Sequence, residues 1–305
     1  MARDAAGVLP ASRRCRETHI PEAQDEMASP EEGGKPGREN GGGGALNNPY
    51  LVGAVLAVLG LALGSFDNVA IYRVPRGLSL WSPGSFCPRC RRPIAWHDNV
   101  PLLGYLLLRG RCRNCGDSIS YRYPLVEFLS GALFLAVGAK HGFSWKVEML
   151  PELLMVTVLL IVSFIDLDEQ IIPNRIILPA ILLALALVAL VAGTRGDWGI
   201  LLRSLAGAAI GGVPLGLLAL LFPRGMGMGD AKLSLFTGVV LGYHQLTGFF
   251  FAFLTGSLTG LALMALGKMG RKSRIPFGPF LSLGALVALF LGSQVWELYR
   301  GMIGR

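Results

Sequence analysis

The chain has 305 residues, of which 52% are hydrophobic and 16% charged, with a mean hydropathy of +0.52. A soluble globular domain carries roughly 25% charged residues, so this composition excludes an ordinary soluble domain and predicts an all-α polytopic membrane protein. The net charge of +8 falls in loops between apolar runs. That is the distribution membrane topology demands, so no nucleic-acid partner is expected.

Residues 1–47 are polar and include four consecutive glycines, Gly41 to Gly44. They lack the apolar segment of a signal peptide and read as a disordered tail. The chain changes character at Tyr50, and 48–72 is expected to form a first transmembrane helix, the bilayer core needing about 20 apolar residues per helix.

A polar loop spans 73–123. It holds nine arginines (73, 76, 89, 91, 92, 109, 111, 113 and 122) and four of the five cysteines. Cys87 and Cys90 form one CxxC pair, and Cys112 and Cys115 form another. Each pair sets two thiolates on one tight turn, and two such turns complete a tetrahedral sulfur site, the donor set of structural zinc. A redox dithiol pair and unpaired thiols are the alternatives. The loop has little core of its own, so a metal would fold it. The four histidines show no metal-ligand spacing.

The region 124–305 is apolar and reads as a single transmembrane domain. Its runs cover about 124–140, 150–166, 174–192, 200–222, 231–267 and 280–298. The run 231–267 is too long for one helix, and a turn near Tyr243–Gln245 would divide it. Eight spans result, give or take one. The Arg-rich loop and the Lys268–Arg274 loop (Lys268, Arg271, Lys272, Arg274) then share a side, which the positive-inside rule makes cytoplasmic.

Asp166 closes the third span and Asp230 precedes the sixth, so both belong to that side. Intramembrane acids are costly and mark functional sites. Two carboxyls brought together would share a proton, one acting as base on a water and the other as acid, which is aspartyl-protease chemistry. Before Asp230, Gly225, Gly227 and Gly229 alternate with methionine. Residues without Cβ let an extended substrate approach and loosen a helix, making Gly227 and Gly229 candidate substrate-binding positions. Asp168 and Glu169 read first as interfacial acids, solvated beside a helix end. As an acidic face they would also attract a basic peptide. Glu127, near the start of the second span, is expected to pair with a loop arginine such as Arg122 or to serve a second activity.

In order along the chain stand Gly64-Ser65-Phe66-Asp67-Asn68-Val69, Tyr72-Arg73-Val74-Pro75, the CxxC pairs, Asn99-Val100-Pro101, Leu108-Arg109-Gly110, Tyr123-Pro124-Leu125-Val126-Glu127, the 165–174 segment, GxGD at 227–230 with Lys232, and Pro276-Phe277-Gly278-Pro279. This series resembles the type IV prepilin peptidases, also called leader peptidase/N-methyltransferases, over about 64–292. Asp67, Gly104 and Glu169 depart from the family's usual residues. The resemblance implies a peptidase using Asp166 and Asp230 at the cytoplasmic face of the bacterial inner membrane. Its substrates would be type IV prepilins or type II secretion pseudopilins, cut after a glycine. It further implies N-methylation of the new N-terminus with S-adenosylmethionine, for which Gly64 and Glu127 are candidates. The alternatives are a peptidase with a purely structural zinc loop, and a non-enzymatic zinc-bearing membrane scaffold.

Overall fold

A computed structural model describes residues 48–82, 84–87, 89–222, 226–268 and 275–303. The expected polar tail with its run of glycines, Gly225, and the cations Arg271, Lys272 and Arg274 lie outside them. Every regular element among the described residues is helical.

Helix α1 spans Pro49–Arg73. Asn48 caps it, its Oδ1 accepting the Tyr50 N–H at 2.9 Å, and Pro49 takes the first-turn position where its missing N–H costs nothing. The Arg-rich loop follows, with one short helix, α2 (Leu103–Leu107). Six further helices are α3 (Arg122–Lys140), α4 (Met149–Glu169), α5 (Asn174–Arg195), α6 (Gly199–Leu221), α7 (Met228–Leu241) and α8 (Gln245–Ala265), and α9 (Gly278–Ile303) ends the described chain. Seven segments are long and apolar enough to cross a bilayer. One of them, Met228–Ala265, is broken by a 3₁₀ turn at Gly242–His244, where the sequence placed its turn.

Contacts fix the direction of each helix. Gly53 near the start of α1 lies beside Phe143, after α3, and Gly64 lies beside Glu127, near the start of α3. These two helices therefore run antiparallel. Gly207 faces Gly238 and Gly242, while Gly211 faces Ser234, so α6 and α7 are also antiparallel. Gly248 meets Gly284 and Ala288, whereas Gly256 meets Phe280, so α8 runs against α9. Helices α7 and α8 thus cross in opposite senses. With the turn between them, eight helices alternate across one bundle among the described residues.

Small residues make these seams close. A Cβ on Gly211 would sit 2.2 Å from the Ser234 carbonyl oxygen, and one on Gly64 2.7 Å from the Glu127 Cα. In lipid, apolar surface gains nothing by leaving its solvent, so association depends on such close backbone packing and on buried polar bonds. Ser204 Oγ donates to the Val239 carbonyl at 2.5 Å, and Gln245 Nε2 donates to Ser234 Oγ at 3.0 Å. The apolar core runs through the middle of the bundle and includes Met155, Leu159, Ile177, Leu233 and Phe236.

Candidate active site

Asp166 lies in the last turn of α4, which Gln170 ends in a left-handed conformation, its N–H bonding the Asp166 carbonyl. The side chain is almost fully buried (5% exposed). Asp230 lies in the first turn of α7, its N–H donating to the Gly227 carbonyl at 3.2 Å. Because α4 ends and α7 begins at the same end of the bundle, the two carboxyls fall within each other's electrostatic reach. A third element completes the arrangement. The backbone N–H of Gly278, first residue of α9, donates to Asp166 Oδ2 at 2.8 Å. A helix N-terminus offers unpaired N–H groups and a partial positive charge, so α9 orients this carboxylate. A Cβ on Gly278 would lie 2.7 Å from the same oxygen, so only glycine fits there without displacing Asp166.

The turn after α4 is fastened to the start of α7. The Cβ face of Gly229 is filled by Ile172, at 2.8 Å. Lys232 Nζ donates to Asn174 Oδ1 at 2.8 Å. The Met-Gly segment does not loosen a helix, as its glycines suggested. Gly227 caps α7 in an extended conformation and Met228 begins it. The segment is a helix start, where glycine costs little.

Asp168 and Glu169 are both ion-paired. Asp168 binds Arg122, and Glu169 binds Arg76 at 3.0 Å. The expected Glu127–Arg122 pairing is therefore corrected. Arg122, at the start of α3, reaches across to α4, where it also donates to the Phe164 carbonyl at 3.2 Å. Glu127 instead accepts the Leu102 N–H at 2.8 Å. That bond holds a non-glycine residue at φ +60, a sparsely populated conformation that persists only when its surroundings impose it. Gly64 packs directly against the Glu127 backbone, and the α1–α3 seam is closed there. Asp67, on the same helix, is fully buried, and among the described residues neither of its oxygens has a hydrogen-bond partner.

The four cysteines converge. Their sulfurs lie within 4.8 Å of one another, and Cys87 Sγ is 3.9 Å from Cys115 Sγ. A tetrahedral zinc with bonds of about 2.3 Å separates its sulfurs by about 3.8 Å, so the cluster has the dimensions of that site. The two CxxC turns repeat one geometry. The N–H of Arg91 bonds the Cys87 carbonyl at 2.8 Å, and the N–H of Gly116 bonds the Cys112 carbonyl at 2.9 Å. Arg91 and Gly116, each following its second cysteine, are both left-handed (φ 57 and 69). A short bridge closes each turn, Phe86 with Pro93 and Arg111 with Ser118. Nearby, Arg113 binds Asp98 through two bonds of 2.7 and 2.6 Å, and this guanidinium holds the Asp98 carboxyl below the usual carboxylate range.

A cavity of about 390 Å³ opens at the other end of the bundle, between Glu148, Glu152, Arg203, His244 and Trp296. Neither aspartate lines it, so it is separate from the candidate site.

Sequence reasoning found the acids and the cysteines but not the part played by Gly278. The Pro-Phe-Gly-Pro segment was visible as a motif, yet nothing in it announced a bond to a residue 112 positions earlier.

Comparison with known proteins identifies relatives that match most of the chain. The bacterial peptidase A24 N-terminal domain matches residues 58–141, and the type IV leader peptidase family matches residues 153–265. A prepilin leader peptidase/N-methyltransferase of Bacillus subtilis (strain 168) is 34% identical over 247 residues, covering 81% of this chain and 97% of that protein. A protein of the same name from Myxococcus xanthus (strain DK1622) is 40% identical over 230 residues, covering 73% and 67%. One from Neisseria gonorrhoeae is 34% identical over 279 residues, covering 82% and 94%. No solved structure matches. With its helical bundle, its four-cysteine loop and its similarity over most of the chain, this protein belongs to the type IV leader peptidase family.

Proposed function

We propose that this protein is an inner-membrane aspartic endopeptidase that removes the short basic leader of type IV prepilins or type II secretion pseudopilins, and then N-methylates the new N-terminus. The observation that supports it most is the pair Asp166 and Asp230, carried by separate helix ends and held by the Gly278 N–H on one side. One carboxylate takes a proton from water as the water oxygen adds to the scissile carbonyl carbon. The other gives its proton to the carbonyl oxygen. The tetrahedral intermediate then collapses, the C–N bond breaks, and the amine leaves with a proton. The extended Gly227 before α7 is where a substrate strand can approach Asp230.

The aspartate end is the cytoplasmic end on this reading, since the nine-arginine loop leaves from it. The apolar helix of the substrate would lie among membrane lipids against the bundle. Residues 48–72, 73–123 and 124–305 serve as first span, zinc loop and peptidase domain. Zinc would be held by Cys87, Cys90, Cys112 and Cys115 and would clasp the two turns of the loop. S-adenosylmethionine would supply the methyl group. Gly64 and Glu127 remain the candidates for that step: they pack against each other across the α1–α3 seam, and Glu127 is half-buried and tied to the loop through Leu102.

The test is to incubate purified protein with a synthetic prepilin and labelled S-adenosylmethionine, then identify products by mass. Cleavage after the leader glycine with label on the new N-terminus supports the full reading. Cleavage without label leaves a peptidase only. No cleavage overturns the reading.

A further inference from the structure

The cysteine loop carries apolar side chains that nothing among the described residues covers. Leu103, Leu106 and Leu107 of α2 are all exposed, as are Trp81 and Trp96, at 87% and 84%. Scattered exposed apolar residues are ordinary, but the three leucines share one short helix and the Trp96–Asn99 turn packs against it through Asp98 and Gly104, so these leucines and Trp96 form one contact surface. Its height on the bundle is fixed. Leu102, immediately before α2, is bonded to Glu127, which lies five residues into α3, roughly 7 Å along the helix at about 1.5 Å per residue. On either side of Glu127, Leu125 and Phe128 are exposed on the outer face of that helix. The apolar face of the loop is thus held level with the first turns of a membrane span.

The charge of the loop selects the partner. Among its acids, Asp98 is bound by Arg113 and Asp117 lies 3.6 Å from Arg89. Among the described residues, Arg91, Arg92, Arg109 and Arg111 have no carboxylate partner. A basic leader peptide would be repelled by these cations. An anionic headgroup layer would be attracted, at about 1 kcal/mol per arginine near such a surface. Tryptophan at the headgroup level with leucine just beneath it is the composition of an interfacial element.

We infer that the cysteine loop is an interfacial docking module, seated on the anionic phospholipid leaflet at the aspartate end. Its leucines and tryptophans enter the headgroup–acyl boundary, and Arg91, Arg92, Arg109 and Arg111 bind lipid phosphates. The inference rests on the bundle crossing a bilayer but not on either enzymatic assignment. Loss of cleavage and loss of docking can therefore be read separately.

The test uses the full chain in nanodiscs, with Trp96 kept and Trp81, Trp145, Trp198 and Trp296 changed to Phe. A second reporter keeps Trp81 alone, in case the first fails to fold. Emission is quenched by brominated phosphatidylglycerol, by brominated phosphatidylcholine, or by aqueous iodide. The expected result is loss of most emission to brominated phosphatidylglycerol, a weaker loss to the zwitterionic lipid and little to iodide. Arg91→Gln with Arg92→Gln should shift quenching toward iodide. Strong iodide quenching in both lipids, or equal quenching by the two brominated lipids, overturns the inference. Shielding from iodide that arises only when a leader peptide is added also overturns it, and assigns the surface to substrate.

Discussion

Replacing Gly278 by alanine should cripple catalysis while leaving the fold intact. The added Cβ would lie 2.7 Å from Asp166 Oδ2 and 3.1 Å from its Cγ, where ordinary contact begins near 3.4 Å. Either the carboxylate or the start of α9 must therefore give way by roughly 0.7 Å, a large part of the ~1 Å misplacement that costs about 100-fold in rate. The same shift weakens the 2.8 Å bond from the Gly278 N–H, and a hydrogen bond to a charged group contributes about 1.5–3 kcal/mol. At about 1.4 kcal/mol per factor of ten, both routes give a loss of about 10- to 100-fold in kcat. They describe one displacement, so they do not add. KM should change little, because the perturbed bond is made to the acid rather than to substrate. The assay is leader release from a synthetic prepilin by purified protein in nanodiscs. Gly216→Ala is the control, since a Cβ there meets nothing within 4 Å. A Gly278→Ala protein that unfolds at the native temperature and cleaves within about threefold of the native kcat would refute the argument that this close approach positions Asp166.

Other outcomes follow from the same contacts. Cys115→Ser should abolish retention of about one zinc per chain and expose the 73–123 loop to protease, while a metal-free protein with a protected loop would remove the zinc assignment. Asp168→Asn or Glu169→Gln should raise KM by less than about fivefold, the worth of an exposed ion pair of up to about 1 kcal/mol, because Arg122 and Arg76 already occupy these carboxylates; a larger rise would show that they hold the leader. Gly211→Val should lower the unfolding temperature in detergent, since even a Cβ would strike the Ser234 carbonyl at 2.2 Å, and overpacking of this kind costs about 1–3 kcal/mol. The Asp98–Arg113 contact stabilises the loop above the ordinary carboxyl range and is lost as pH falls through the depressed Asp98 value. Loop protection from protease at neutral pH should therefore be weaker in Asp98→Asn than in the native protein, and that difference should shrink as the pH falls below the ordinary carboxyl range.

Much of the architecture was legible in the sequence. Span positions follow from runs of apolar residues, because a bilayer demands a fixed length of them. The break near 243 was legible for the same reason, as a run too long for one helix. The cysteine pairs announced their convergence through spacing alone. What stayed hidden depends on which faces meet. A helix apolar all round gives no periodic signal of its packing face, so nothing in the sequence set Gly278 against Asp166, or Gly64 against the Glu127 backbone. Arg122 could equally have served Glu127, its neighbour one turn on, or an acid of another helix. The antiparallel approach of α3 and α4 decided for Asp168. Asp67 read as a departure within a familiar motif, and only packing reveals it as a fully buried carboxyl.

The most direct measurement is prepilin cleavage by Asp166→Asn, by Asp230→Asn and by the double variant, with each protein's zinc content and unfolding temperature recorded beside it. Two carboxyls acting as one unit predict that either single change removes leader release as completely as both together, in proteins that remain folded and metal-loaded. Continued processing by a folded protein lacking either carboxylate would contradict the account.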